Sequence, residues 1–231
     1  MERAGSLEIP RGNLLLASTA HDLKEPLEAI VMGACLLLRS LPGQDTPART
    51  VAEAILRSAE RVSDRVDDLY DLTLLDAGAL EVRLDDQSAE AIAIQAVSRW
   101  VRHADRRRVV VELQIDRGLR VRADRTQLVR VLGKLLDNAI RFSPVGGRVR
   151  LGVEPAGTMA RFDVVDEGPG IGHEQQRALF ERDARSGSGG PGSPGLSLLL
   201  VKGVIELHGG QVAIRSEPGK GSTFSFTVAL A

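Results

Sequence analysis

The fold turns on one stretch, LASTAHDLKEPLEAIVMGACLLLRSL, residues 16–41. Within it Leu16, Ala20, Leu23, Leu27, Ile30, Ala34, Leu37 and Leu41 recur at spacings of 4, 3, 4, 3, 4, 3 and 4. That is the heptad period of a helix with one apolar stripe. Pro42-Gly43 and Pro47 break the pattern, and residues 44–46 read as a loop. A second stripe follows at Ala52, Ile55, Ala59, Val62, Val66 and Leu69, with Thr73 in register. Two long helices joined by a short loop make an antiparallel hairpin, and one hairpin cannot cover its own stripes in water. Two copies would complete a four-helix bundle, so the pattern predicts a homodimer.

The helical period stops near Ala77-Gly78, and from Val82 onward short β-branched runs alternate with helical segments. Strands are expected over 109–115, 148–154, 160–165, 211–216 and 222–229, and helices over 89–103, 125–142, 174–181 and 196–208. The expected class is α+β: a helical hairpin over residues 1–80, then an α/β sandwich domain over residues 81–231, with the boundary near 78–85.

Composition narrows the functions available. The 231 residues are 43% hydrophobic and 26% charged, ordinary for a globular chain able to bury a core. Thirty basic residues against 31 acidic ones leave a net charge of −1, and aromatics are only 3%. Neither suits a protein that coats nucleic acid, and no nucleic-acid partner is expected. Arg99, Arg102 and Arg106–Arg108 read as a solvated cluster or a dock for an acidic partner. The single Cys35 excludes an internal disulfide. The longest apolar run, residues 29–38, is about half the ~20 residues that span a bilayer. With no signal-peptide pattern at the start, the expectation is a cytoplasmic chain without a membrane segment.

Three local patterns carry chemistry. His21 falls just off the apolar stripe with Asp22 beside it, and a carboxylate that holds one ring nitrogen leaves the other as a nucleophile. Pro26 follows within the same helix, at a cost on the order of 3 kcal/mol, and marks a bend. Asp166-Glu167-Gly168-Pro169-Gly170 follows an expected strand; a carboxylate there can accept from an exocyclic amine while glycine backbone approaches closely, although the bare pattern is also that of a turn. Asn138 lies beside the buried face of a strongly patterned helix, where its amide oxygen could ligate a hard cation or simply cap the core rim.

His21-Asp22-Leu23-Lys24-Glu25-Pro26-Leu27 resembles the H box of sensor histidine kinases, in the form of the phytochrome-type members. Residues 69–78, LYDLTLLDAG, are similar to the end of the second dimerisation helix in that family. The resemblance implies that His21 is the phosphoacceptor and Asp22 its acid/base partner. Glu25 stands where many members carry the Thr or Asn that positions a hydrolytic water. Residues 135–144, LLDNAIRFSP, are similar to the N box of the kinases' ATP domain, which shares a superfamily with gyrase, MutL and the ninety-kilodalton heat-shock chaperones. By that resemblance Asn138 takes Mg²⁺, Arg141 replaces a phosphate-facing Lys, and Phe142 lies beside the base. Asp166, Gly168 and Gly170 match the first glycine box, whose Asp reads the adenine amine; Leu179-Phe180-Glu181-Arg182 looks like the start of the F box. Gly195 and Leu196 fall in the lid glycine box, and Gly221 and Thr223 in the last one.

The resemblance therefore implies a two-component kinase core that autophosphorylates His21 from Mg-ATP. It would pass the phosphoryl group to an Asp of a response-regulator receiver domain, under an upstream sensor domain. Departures from the pattern are Lys134 for Asn one turn before Asn138, Asp183 for a second Phe, and Ser193, Pro194 and Ser197 around Gly195. They point to an alternative, a non-catalytic dimeric pseudokinase or histidine phosphotransfer scaffold with weakened or lost ATP binding.

Overall fold

The computed structural model describes residues 11–41, 43, 46–179 and 195–231, and for residues 11–21, 177–178 and 195–196 the backbone course only. Phe180 through Pro194, which include three of the departures, lie outside the described residues. The chain divides into two compact units, Met1–Leu80 and Glu81–Ala231.

The first unit is the hairpin α1 (Arg11–Ser40) and α2 (Pro47–Asp76). Thr46 caps α2 by accepting from the Arg49 N–H at 3.2 Å, with Pro47 at the first helical position, where its missing N–H costs nothing. Two contacts fix the antiparallel register. Near the turn, Arg49 donates to the Leu38 carbonyl; further along, Lys24 pairs with Asp67 at 3.1 Å. Small side chains fill the contact: Ala34 on α1 and Ala52 and Ala59 on α2 are buried, with Val66 and Leu72 continuing the line.

The apolar stripes divide in two. Ala34, Ala52, Ala59 and Val66 are spent inside the hairpin, whereas Leu23, Ile30 and Leu37 on α1, and Ile55 and Val62 on α2, each expose nearly half their surface. The exposed set repeats every seven residues on each helix, one face left over after the hairpin has closed. Leu16 and Ala20 fall among the residues whose side chains are not described.

The second unit runs β1 (Asp85–Ser88), α3 (Ala89–Arg107), β2 (Val110–Ile115), β3 (Arg120–Ala123), α4 (Arg125–Phe142), β4 (Arg148–Ala156), β5 (Met159–Asp166), α5 (His173–Ala178), α6 (Gly195–Leu207), β6 (Val212–Ser216) and β7 (Ser222–Ala229). A five-stranded sheet has the order β2-β4-β5-β7-β6, parallel between β2 and β4 and antiparallel elsewhere. Strict alternation puts Phe162 and Val164 of β5 and Phe224, Phe226 and Val228 of β7 on one buried face. Helices α3, α4 and α6 pack against the sheet. α4 supplies Leu128, Leu132, Leu135, Leu136 and Ile140, all without exposed surface. This is the expected α/β sandwich.

Two strands were not anticipated. β1 and β3 pair antiparallel as a separate two-stranded sheet, closed by Arg120, whose Nε lies 2.6 Å from Asp86 Oδ1. Their sequences, DDQS and RVRA, have too little apolar content for the alternation rule to detect.

At the centre of the core the Phe162 and Phe226 rings stack 4.8 Å apart with planes 5° from parallel. Phe162→Ala should cost about 3–5 kcal/mol of second-unit stability by opening a cavity between β5 and β7, read from urea unfolding midpoints.

Candidate functional site

The site grows from the end of β5. Asp166 is buried there, opposite Ser222 in the β5–β7 ladder. Its Oδ1 accepts two backbone N–H groups, from Gly168 at 2.8 Å and from Ser222 at 3.2 Å. One carboxylate oxygen thus ties the end of β5, the loop after it and the start of β7 into a single corner. Burial pushes this carboxyl above the ordinary aspartate range, against the opposing pull of the Gly168 and Ser222 N–H groups.

The glycines of this corner are required by space. A Cβ on Gly168 would lie 2.7 Å from Asp166 Oδ1 and 3.1 Å from the Phe142 carbonyl oxygen. Gly170, at φ +71°, would place one 1.9 Å from the Glu217 carbonyl oxygen; Gly221, at φ +82°, would place one 2.0 Å from that of Asp166. Both need glycine twice over, for the left-handed backbone and for the close approach.

Residues that sequence reasoning did not single out hold the corner. The Ser216 hydroxyl accepts the Ile171 N–H at 2.8 Å and donates to the Gly221 carbonyl at 2.8 Å. Its one proton is then used, so Ser222 must donate across their 2.9 Å contact. Gln176 Nε2 closes the loop with bonds to the carbonyls of Ile171 and Ser216. Isolated Ser and Gln carry no sequence pattern, which is why they were missed.

α4 forms the second wall. Its last turn reaches the corner through Phe142, whose carbonyl faces Gly168. The Phe142 ring is exposed, and the Arg141 guanidinium carbon stands 4.8 Å from its centroid, a cation–π contact that holds both side chains. Asn138, one turn earlier, is half-buried. Asp137 turns toward α3: burial raises its carboxyl above the ordinary range, opposed by His103, Arg141, Lys134 and Arg107. Burial likewise pushes His103 below the ordinary histidine range. Lys134, one turn before Asn138, is thus one of the cations that face Asp137.

The remaining expected residues are placed as follows. Thr223, the second residue of β7, stands opposite Val165 and Arg215, beside the corner. Gly195 and Leu196 start α6, whose side chains there are not described, so no contact to Asp166 is drawn. His21 and Asp22 lie on α1 in the other unit; Asp22 is exposed, and the His21 ring is outside the described residues. Asp166, Gly168, Gly170, Phe142, Gly221 and Thr223 therefore converge, with Asn138 and Arg141 along the adjoining helix.

The family described as Histidine kinase-, DNA gyrase B-, and HSP90-like ATPase matches residues 123–231, and the His Kinase A (phospho-acceptor) domain matches residues 13–78. Sensor protein DivL of Caulobacter vibrioides is 35% identical over 212 residues, covering 91% of this chain and 27% of that protein. Sensor-like histidine kinase SenX3 of Mycobacterium tuberculosis is 35% identical over 216 residues, 92% of this chain and 52% of that protein. The chain thus spans about half or less of these relatives. Among solved structures, full-length ShkA in complex with AMPPNP superposes with a TM-score of 0.73 at 25% identity, over 94% of this chain and 46% of that one. Acinetobacter baumannii histidine kinase AdeS shares the fold, with a TM-score of 0.63 at 22% identity over 88% of this chain and 95% of that one.

Gly221→Ala should lower stability by roughly 2 kcal/mol more than Gly157→Ala, which also has positive φ but open space around its Cβ and should cost only about 1–2 kcal/mol. Equal unfolding midpoints for the two variants would mean that the corner is not tightly closed.

Proposed function

The chain belongs to the sensor histidine kinases, and on that footing we propose that it is a kinase core moving the γ-phosphoryl group of ATP to His21. The observation that carries this reading is the Asp166 corner. A buried carboxylate with Oδ1 occupied by two N–H groups keeps Oδ2 to accept the exocyclic amine of adenine, while Gly168 and Gly170 let the base approach backbone. Phe142 gives an exposed aromatic surface at the same corner, and Arg141 a cation for phosphate oxygens. We assign the backbone N–H groups at the start of α6, from Gly195 and Leu196, to the phosphate chain.

In the transfer, a His21 ring nitrogen attacks the γ-phosphorus in line. The N–P bond forms as the bond to the β–γ bridging oxygen breaks, ADP leaves with that electron pair, and Asp22 takes the proton from the other ring nitrogen. Magnesium, when bound, neutralises charge developing on the phosphates. We assign Asn138 as its protein ligand.

The phosphoryl group would then pass to the aspartate of a response-regulator receiver domain. The exposed heptad face of Leu23, Ile30, Leu37, Ile55 and Val62 would pair with its copy in a second chain to close a four-helix bundle. We take the setting to be cytoplasmic, downstream of a sensor domain; no described helix is long and apolar enough to cross a membrane. The comparisons lend no support to the pseudokinase alternative.

Incubation with γ-labelled ATP should give an acid-labile label that His21→Ala abolishes without loss of nucleotide binding; label on that variant would overturn the acceptor assignment. Asp166→Asn keeps the acceptor for Gly168 and Ser222 but turns an NH₂ toward the adenine amine. It should weaken nucleotide binding by about tenfold or more, as a lost charge-assisted bond does. The accepting form is the carboxylate, and its pKa is raised. Affinity for the nucleotide should therefore fall on acidification at a higher pH than an ordinary aspartate would give, and Asp166→Asn should flatten that dependence.

A further inference from the structure

His208 follows the last residue of α6 in the sequence Leu207-His208-Gly209-Gly210. Its side chain is 3% exposed and bonded at both ring nitrogens. Nδ1 lies 2.8 Å from the Val204 carbonyl, one turn back on its own helix. A carbonyl can only accept, so Nδ1 carries the proton and Nε2 is left as an acceptor. That lone pair receives the backbone N–H of Asp124 at 3.1 Å.

Asp124 is a junction. It is the N-cap of α4, where Oδ1 accepts the Gln127 N–H at 3.1 Å, and its other oxygen, Oδ2, accepts the Arg83 N–H at 3.2 Å. Arg83 is the third residue of the second unit, in the segment that leads in from the hairpin. His208, Asp124 and Arg83 therefore form a short chain of bonds joining the end of α6, the start of α4 and the entering strand of polypeptide.

The position of this junction gives it a function. Asn138 lies fourteen residues along α4 from Asp124, and Gly195 thirteen residues along α6 from His208, each about 20 Å at 1.5 Å per residue. The two helices carry nucleotide-site residues at one end and meet through His208 and Asp124 at the other. The backbone on either side of His208 is fixed as well. Gly209, at φ +70°, and Gly210 donate to the Glu206 and Ile205 carbonyls, and a Cβ on Gly210 would fall 1.8 Å from the Thr227 carbonyl oxygen of β7.

We propose that His208 is a positioning residue for phosphoryl transfer: through Asp124 it anchors the entering segment at Arg83 to the far ends of the helices that carry the nucleotide site. Nucleotide binding is assembled at the opposite ends and does not need the anchor. Delivery of the bound γ-phosphate to His21 does, because that step requires the ATP-binding unit to be held at a defined point of entry. This rests on the reading of the chain as a kinase core.

Asp124→Asn separates anchor from cap, since its one oxygen still accepts from Gln127 while an NH₂ group faces the Arg83 N–H. His208→Ala removes the acceptor for Asp124, and His208→Gln restores one. In the full chain, Asp124→Asn and His208→Ala should speed amide hydrogen exchange at Arg83 and slow His21 labelling at saturating ATP, each by about tenfold. The dissociation constant of a non-hydrolysable ATP analogue should change less than about twofold, and His208→Gln should recover most of the rate. Unchanged exchange at Arg83, an unchanged labelling rate, or affinity and rate falling in proportion would overturn the proposal. If His208→Ala does not fold, Asp124→Asn carries the same outcomes alone. If the parent chain binds nucleotide but never labels His21, the kinase reading fails, and exchange at Arg83 alone decides whether the anchor exists.

Discussion

Asp166 Oδ1 holds two N–H groups from two different pieces of chain, and the geometry of the candidate site follows from that arrangement. The Gly168 bond holds the loop after β5 against that strand's end, and the Ser222 bond adds a side-chain tie at the last pair of the β5–β7 ladder. A buried carboxylate with no partner would be costly, and its pKa is already raised by burial. The two bonds offset part of that cost and at the same time orient the second oxygen. Glycine is required at 168 and 221 because backbone must come close to Asp166, and at 170 because the loop must come close to the Glu217 carbonyl. Ser216 and Gln176 then satisfy the carbonyls and N–H groups that so tight a corner would otherwise leave buried.

The hairpin works by a different economy. Its internal contact is made largely of alanine, which lets the two helices approach closely but buries modest apolar area per residue. The larger side chains, Leu23, Ile30, Leu37, Ile55 and Val62, are left facing outward at heptad spacing. A single apolar stripe is thus divided between a hairpin seam of small residues and an exposed row of large ones. The second unit has the opposite character, with a sheet core of stacked Phe162 and Phe226 closed within itself.

Much of this was legible in the sequence because it rested on periodicity or on residues with one physical use. The 3-4 spacing gave both hairpin helices. Alternation gave five strands, the span 125–142 coincided with α4, and the glycines marked the corner because no other residue fits there. What was not legible depended on tertiary pairing. DDQS and RVRA become strands only by facing each other, with the Arg120–Asp86 pair supplying what their side chains lack in apolar surface. The division of the heptad stripe between a seam and an exposed row is invisible in spacing, because alanine and leucine satisfy the same period. The His208 ring reaches a residue 84 positions away, a pairing that the sequence around it does not announce. Ser216 and Gln176 matter through backbone partners that no local pattern announces.

The most direct test of the account is a calorimetric titration of Mg-ATP, with Mg-ADP in parallel, into the purified chain. One nucleotide should bind per chain, with affinity on the order of micromolar to submillimolar and both nucleotides competing for one site. No heat up to roughly millimolar nucleotide, from a chain that still unfolds cooperatively, would contradict it: the Asp166 corner would then be a structural joint and not a base-recognition site.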